Sequence, residues 1–244
     1  MAFAAAVRDR LVVANPATGV SLPKQRRREV AMTIPTTEQV KAALDVAPRE
    51  FRLFVALCAF AGLRLGEAAG LQVGDVDFLR RRLCVRRQVQ GQVRTKAQVL
   101  APKAGSERDV AIPESLAEFV AQHVSTVGVH GEEGWLFSSG SHLVNRNHAS
   151  HQWRTIREKV GLEEFTLHDL RHFCASALIA AGCDVVTVQR ALGHSSATIT
   201  LNTYSHLWPT AEDRTRTAAT DLMRQVLDVP PDDCAADWRL TTTR

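Results

Sequence analysis

The sequence has no apolar run near the roughly 18 residues that a membrane-spanning helix needs. Its longest, Leu53–Leu63, is about three helical turns and suits a buried core helix. There is no C-x-x-C pair, and the five cysteines (Cys58, Cys84, Cys174, Cys183, Cys234) are odd in number. That pattern argues against a disulfide framework and for a reducing, cytoplasmic location, with Cys58 serving as a small hydrophobe inside the apolar run. There is no internal repeat, and no basic leader followed by an apolar stretch and a cleavage site, so secretion is not expected. With nine Pro and fourteen Gly in 244 residues, collagen-like and low-complexity readings fail. A hydrophobic content of 45% excludes intrinsic disorder and is enough for one large domain or two small ones. Aromatic residues make up 6%, and Tyr204 is the only tyrosine.

What is abundant is arginine. Lysine supplies five of the thirty basic residues and arginine the other twenty-five. Between Arg80 and Val110, nine basic residues (Arg80, Arg81, Arg82, Arg86, Arg87, Arg94, Lys96, Lys103, Arg108) face two acids, a local net of +7. From Glu212 to Asp237, seven acids face three Arg, a local net of −4. A basic segment ahead of an acidic tail points to a polyanion partner, nucleic acid before membrane. The alternative is a solvated face in a chain from a GC-rich genome.

The apolar stripe Phe3, Val7, Leu11 predicts a helix over 1–15, stopped by Asn15-Pro16. The following stretch, with three Pro and the run Lys24-Gln-Arg-Arg-Arg28, reads as a linker. Residues 1–30 are therefore expected to be the trailing helix and linker of a preceding domain. Thr36 or Thr37 caps a helix over 38–47, the apolar helix covers 49–61, Gly62–Gly66 interrupts, and helical spacing restarts at Glu67. From Asp75 to Ile112 the pattern turns β: strands over 82–89, 92–100 with a turn at Gly91, and 108–112 form a small three-stranded antiparallel sheet. Helices return at 114–124 and 148–160. Thr166-Leu-His-Asp169 has capping-box logic and opens a helix closing at Gly182. Asp184 caps the next, which Gly193 stops; Ser195 or Ser196 caps another to about Ser205. Thr210–Asp213 opens a last helix with Ala218, Leu222 and Val226 on one stripe. The class is α+β, mainly α.

Several residues have chemistry to offer. With Thr166 as N-cap, His168 and Arg171 share the first turn of a helix whose free N–H groups and dipole favour an anion. The alternative is a locally satisfied histidine and a surface arginine. His168 and His172 at i, i+4 could pair on a metal, but a zincin has Glu where this chain has Asp-Leu-Arg between them, and no metal is assigned. A nucleophilic tyrosine, with its pKa near 10, needs positive charge close by, and His194 lies ten residues before Tyr204. Arg64 sits between Gly62 and Gly66 with Glu67 available to orient its phosphate-matching fork. Lys103, on a turn of the basic sheet, suits proton donation to a leaving oxygen.

These segments, Gly62–Leu71 (GLRLGEAAGL), Pro102–Ile112 (PKAGSERDVAI), Thr166–His172 (TLHDLRH) and Leu192–His206 (LGHSSATITLNTYSH), resemble the four signature regions of the tyrosine recombinases, or phage integrase family. They occur in the family's order, and the resemblance covers about residues 30–210. It implies that Arg64, Lys103, His168, Arg171 and His194 activate a DNA phosphate, and that Tyr204 attacks it to give a 3′-phosphotyrosine bond. His168 would be the general base toward Tyr204 and Lys103 the acid toward the 5′-oxygen, with Lys96 the rival for the lysine role. Arg80, Arg81, Arg82, Arg86, Arg87, Lys96 and Arg108 would bind double-stranded DNA. No cofactor or metal is implied. Residues 31–229 would be the catalytic domain and 230–244 a flexible tail. Family members also carry an N-terminal core-binding domain, which 1–30 would only terminate, and the full-length form is expected to act as a tetramer on two DNA sites. The acidic last helix is similar to the segment that members exchange with a neighbouring protomer.

The expected activity is site-specific DNA recombination. Competing expectations are relaxation of DNA by the same nicking chemistry without strand exchange, a DNA-binding remnant that does not cut, and a metallohydrolase.

Overall fold

The computed structural model describes residues 2–20, 32–91, 97–140, 142–208 and 211–227. It divides into two units, residues 1–33 and 34–244. In the first, helix α1 (Ala2–Arg8) is shorter than its apolar stripe predicts. Arg10 takes a left-handed φ of 57°, and the Leu11 N–H returns to the Ala6 carbonyl at 2.8 Å. Phe3 and Leu11 are exposed, so no burial supports further turns, and a helix this short is marginal by itself. The basic run 24–28 lies outside the described residues.

The second unit begins with α2 (Thr37–Val46), and of the two candidate caps it is Thr36 that serves. Its hydroxyl accepts from the Gln39 N–H, and the Gln39 side chain accepts the Thr36 N–H at 2.8 Å. Helix α3 (Arg49–Phe60) is the centre of the core: Leu53 through Ala59 are buried on every face. It packs against α5 (Glu114–Thr126) and α7 (Leu167–Ala180), while α6 (Arg146–Val160) packs on α2. Burial of each large apolar side chain here contributes about 1.5–3 kcal/mol. Helix α4 (Leu65–Ala69) starts two residues before the expected restart and stops at Gly70, after which Leu71 accepts the Leu136 N–H.

The three-stranded antiparallel sheet is present with different members. Its order is β1 (Val76–Asp77), β2 (Arg82–Val85), β5 (Arg108–Ala111), with Val76 opposite Leu83 and Leu83 opposite Val110. β3 (Gln88–Gln90) and β4 (Gln98–Leu100) pair separately, as do β6 (Ser138–Ser139) and β7 (His142–Leu143). The expected strand over 82–89 breaks at Arg86-Arg87. There the Arg87 guanidinium turns to the buried Asp75 carboxylate at 2.5 Å, and the consecutive burial of Gln88 and Val89 ends the alternation. The turn after Gly91 falls in 92–96, outside the described residues.

The remaining helices are α8 (Val185–Leu192), α9 (Ala197–Tyr204) and α10 (Ala211–Leu227). Asp184 caps α8 through the N–H groups of Val186 and Thr187. Ser196 occupies the N-cap of α9, but its hydroxyl makes no capping bond. α10 leaves Leu222, Met223, Val226 and Leu227 exposed. The 230–244 tail, Cys234 included, lies outside the described residues. Among the described residues no helix is long and apolar enough to cross a membrane.

Candidate active site

The site is organised around one buried carboxylate. Glu67, 1% exposed on α4, accepts the Arg64 backbone N–H at 2.9 Å and the Arg64 guanidinium at 2.6 Å. Its two oxygens also take both terminal nitrogens of Arg108, at 2.9 and 3.2 Å. Burial pulls the Glu67 pKa up, but the hydrogen bonds and charge of Arg108, then of Arg64, hold it below the usual carboxylate value. Arg64 reaches further, donating to the Gly193 carbonyl at 2.9 Å, and Arg108 donates to the Ala191 carbonyl at 2.9 Å. The C-terminus of α8 is thus anchored by two guanidiniums at once. Gly193 ends that helix in a left-handed φ of 64°, and a Cβ on it would stand 2.7 Å from an Arg108 nitrogen.

Arg171 is 1% exposed, which sequence reasoning alone does not predict for a charged side chain on the first turn of a helix. Its terminal nitrogens donate to the carbonyls of Gly62 at 2.5 Å and Leu192 at 2.6 Å. Gly62 can offer that carbonyl because it sits at φ 61° against Leu192 and Cys174, where a Cβ would not fit. Two breaks between helices, far apart in sequence, are tied by one side chain. Burial, followed by the charge of Arg64, lowers the Arg171 pKa to about 10, so it remains a cation at neutral pH.

Tyr204, the last residue of α9, is 1% exposed. Its phenol oxygen lies 2.7 Å from His172 Nδ1, and its ring is flanked by His172 (centroids 5.5 Å apart) and, nearly parallel, by His194 (6.4 Å). Burial pushes the phenol up to about 12, with the charges of Arg171 and Arg64 acting in the opposite sense. His194 Nδ1 is 2.8 Å from the hydroxyl of buried Thr200. Burial lowers both His172 and His194 to about 4, with His168 next among the causes for His172 and Arg171 for His194. His168 stands at the surface, yet it too is lowered, by partial desolvation of its ring and then by the charge of Arg171. All three imidazoles are neutral at pH 7. The sequence reading passes over His172 except as a metal partner. Its Nδ1 is engaged by the phenol, and among the described residues no three His, Cys, Asp or Glu side chains converge as a metal site.

An open cleft of about 780 Å³ is lined by Arg64, Lys103 and His168, whereas Arg171, His172, His194 and Tyr204 lie behind them and do not line it. Lys103 is exposed on a 3-10 turn, Lys103–Gly105. Its rival, Lys96, lies outside the described residues. Helix α6 also lines it, contributing Arg146, Ser150, Trp153 and Arg157. Their steps of four, three and four residues put them on one helical face, and among the described residues no carboxylate lines the cleft. That stripe is available in the sequence as i, i+4, i+7, i+11 spacing, but the denser charge of the basic sheet outweighs it there.

The basic sheet itself is placed differently from the expectation. None of Arg80, Arg81, Arg82, Arg86, Arg87 and Arg108 lines the cleft. Arg80, Arg81 and Arg82 are exposed and face Asp77, Glu114 and Asp109 at 3.9, 3.6 and 4.0 Å. Arg86 is exposed, whereas Arg87 is bound to Asp75 and lies over the Trp135 ring. Arg108 is corrected from a DNA-facing cation to a buried partner of Glu67, its side chain 7% exposed.

A model of the phage integrase family matches residues 34–210. A XerC-like tyrosine recombinase of Caldanaerobacter subterraneus is 28% identical over 233 residues, covering 85% of this chain and 60% of that protein. The ICEBs1 integrase of Bacillus subtilis is 27% identical over 237 residues, covering 91% and 62%. The chain spans less than two thirds of the length of either relative. The Tn1549 transposon integrase, solved in complex with transposon right end DNA, has a similar structure with a TM-score of 0.71 at 21% identity, over 91% of this chain and 75% of that one. The catalytic domain of bacteriophage HP1 integrase gives 0.53 at 18% identity, over 82% and 99%. At these identities the structural likeness shows the fold.

Proposed function

The chain belongs to the phage integrase family, and on that premise we propose that it is the catalytic part of a site-specific DNA recombinase. It cuts and rejoins double-stranded DNA through a 3′-phosphotyrosine bond, with no need for metal or ATP. The observation that carries this reading is the lone tyrosine set between two neutral histidines and under the charge of Arg171 and Arg64, next to a cleft with basic walls.

In this reading a duplex phosphate enters the cleft, drawn by Arg64, Lys103, Arg146 and Arg157. Tyr204 attacks the phosphorus through its phenol oxygen. The bond to the 5′-oxygen breaks, Lys103 gives that oxygen a proton, and a 3′-phosphotyrosine and a 5′-hydroxyl result. Arg64 forks the non-bridging oxygens, while Arg171 acts from behind the site as a fixed charge that also holds the backbone of Gly62 and Leu192. A Thr200 O–H donated to His194 Nδ1 selects the tautomer with Nε2–H free, and that N–H donates to the phosphate. His168, on the cleft wall, takes another phosphate oxygen. A 5′-hydroxyl from a partner strand then runs the step in reverse, so the bond energy is retained. In the whole protein, assembly as a tetramer on two DNA sites in the cytoplasm fits the uncovered apolar face of α10, Leu222, Met223, Val226 and Leu227.

Covalent trapping on supercoiled plasmid tests this. Purified protein is mixed with plasmid, quenched with detergent and examined for protein-linked nicked DNA, with Tyr204→Phe and a chelator as controls. The expected result is an adduct that chelator leaves unchanged and that Tyr204→Phe abolishes. Duplex binding with no adduct, indifferent to Tyr204→Phe, would instead make the chain a non-cutting binder.

A further inference from the structure

Cleavage through a buried phenol raises the question of where its proton goes. With its pKa at about 12, only about one Tyr204 in 10⁵ is ionised at pH 7, so a free phenolate is too rare to be the practical nucleophile. A base has to take the proton as the oxygen attacks, and such assistance contributes typically 10²–10⁴-fold. The family resemblance gives that task to His168. In the structure His168 is on the cleft wall, and the hydrogen bond of the phenol goes to another ring, His172, one helical turn further along α7.

We infer that His172 is the catalytic base for Tyr204: its Nδ1, 2.7 Å from the phenol oxygen, takes the proton when that oxygen attacks DNA and returns it when the strand is resealed. This rests on the cleavage reading above. Three features make the ring suitable. Contact with the reacting oxygen is already at proton-transfer distance. With its proton on Nε2 the neutral ring leaves Nδ1 free to accept the phenol O–H, and the imidazolium that forms, which burial disfavours, is stabilised by the negative charge of the bound phosphate. It is also held in place, packed edge-on against His168 on one side and against the phenol on the other. The protons balance: the Tyr204 O–H bond breaks and an N–H forms on His172, while the new bond to phosphorus displaces the 5′-oxygen, which Lys103 protonates. Resealing reverses both transfers. His168 is then left for the phosphate itself.

The single tyrosine allows a direct test. Growth on difluorotyrosine acidifies the phenol at position 204 and nowhere else, and a more acidic phenol depends less on its base. His172→Asn keeps an acceptor oxygen near the Nδ1 position but cannot hold the proton. Its rate of adduct formation on supercoiled plasmid is expected to fall at least 100-fold, and fluorination to recover at least tenfold of that. His168→Asn is also expected to be slow, but without recovery on fluorination. The assignment is overturned if His172→Asn cuts within threefold of the parent, or if fluorination rescues His168→Asn in its place. Melting temperature and DNA retention report folding. If His172→Asn does not fold, His172→Gln replaces it, and if neither folds the His168→Asn arm decides: rescue overturns the assignment and its absence supports it. A parent chain that forms no adduct sinks the cleavage reading and this assignment with it.

Discussion

Arginine does two different jobs in this chain, and the contrast separates the site from the surface. Around Glu67, the guanidiniums of Arg64 and Arg108 are bound to a carboxylate at 2.6–3.2 Å, and Arg171 is locked onto two backbone carbonyls. At the β1–β2 turn, Arg80, Arg81 and Arg82 are just as charged but are exposed, facing acids at 3.6–4.0 Å. In the first group Arg108 and Arg171 are desolvated and Arg64 partly so, so each charge has to be met by a partner and removal of one partner strands the others. The second is screened by water and salt, and its pairs contribute between nothing and about 1 kcal/mol. A count of basic residues along the sequence weights the two groups equally, although only Arg64 among them lines the cleft.

The sharpest way to break this contrast is at Glu67. Glu67→Gln leaves Arg108 and Arg64 without their counter-charge, and a loss of about 3–5 kcal/mol in unfolding free energy is expected in urea titrations. A loss under 1 kcal/mol would show that the buried network is no more important than the surface pairs.

Acid should act on the same region. His172 and His194 are depressed to about 4 from an ordinary 6.5, so protons bind the unfolded chain more readily than the folded one. Stability should be full above about pH 6.5 and fall as pH drops toward and through 4, by at most about 3 kcal/mol per ring and less for the partial exposure of both rings. Glu67, also depressed, adds to the loss at the acid end. Urea midpoints at pH 7.5 and 4.5 measure this, and His172→Asn should flatten the profile. Equal midpoints for the parent would refute the buried placement of the rings.

The cleft wall gives a smaller effect. Arg146→Ala with Arg157→Ala should weaken duplex binding alike for all sequences and reduce the slope of log affinity against log salt by about 2, one for each phosphate left without its guanidinium. The triple change of Arg80, Arg81 and Arg82 to Ala should alter stability by about 0.5 kcal/mol or less per site. It should also leave duplex affinity at 150 mM salt within about twofold of the parent, the weak response expected of charges outside the cleft. If the triple variant loses more affinity than the α6 pair, the DNA path runs over the sheet and not through the cleft.

Local signals were legible wherever neighbours in sequence settle the outcome. The Thr166–Asp169 capping box, the Asp184 cap and the Gly193 stop stand where the chain itself dictates them, since each is a side chain or a glycine meeting backbone within four residues. The apolar run over α3 could only be a buried helix. Expectation failed for α1, whose stripe residues Phe3 and Leu11 are exposed, and for the 82–89 strand, which an ion pair with Asp75 interrupts.

The helical class and the residue types gathered here, the lone Tyr204, the first-turn pair His168 and Arg171, and the glycine-flanked Arg64, are written in the sequence. How these groups are buried and paired is a matter of the folded chain. The tertiary structure buried Arg171 and Arg108, gave the hydrogen bond of Tyr204 to His172, and brought α6 to the cleft. The physical reason is that burial and pairing come from contacts across large separations, 41 residues for Arg108 to Glu67 and 109 for Arg171 to Gly62, and no local pattern encodes a partner so far along the chain.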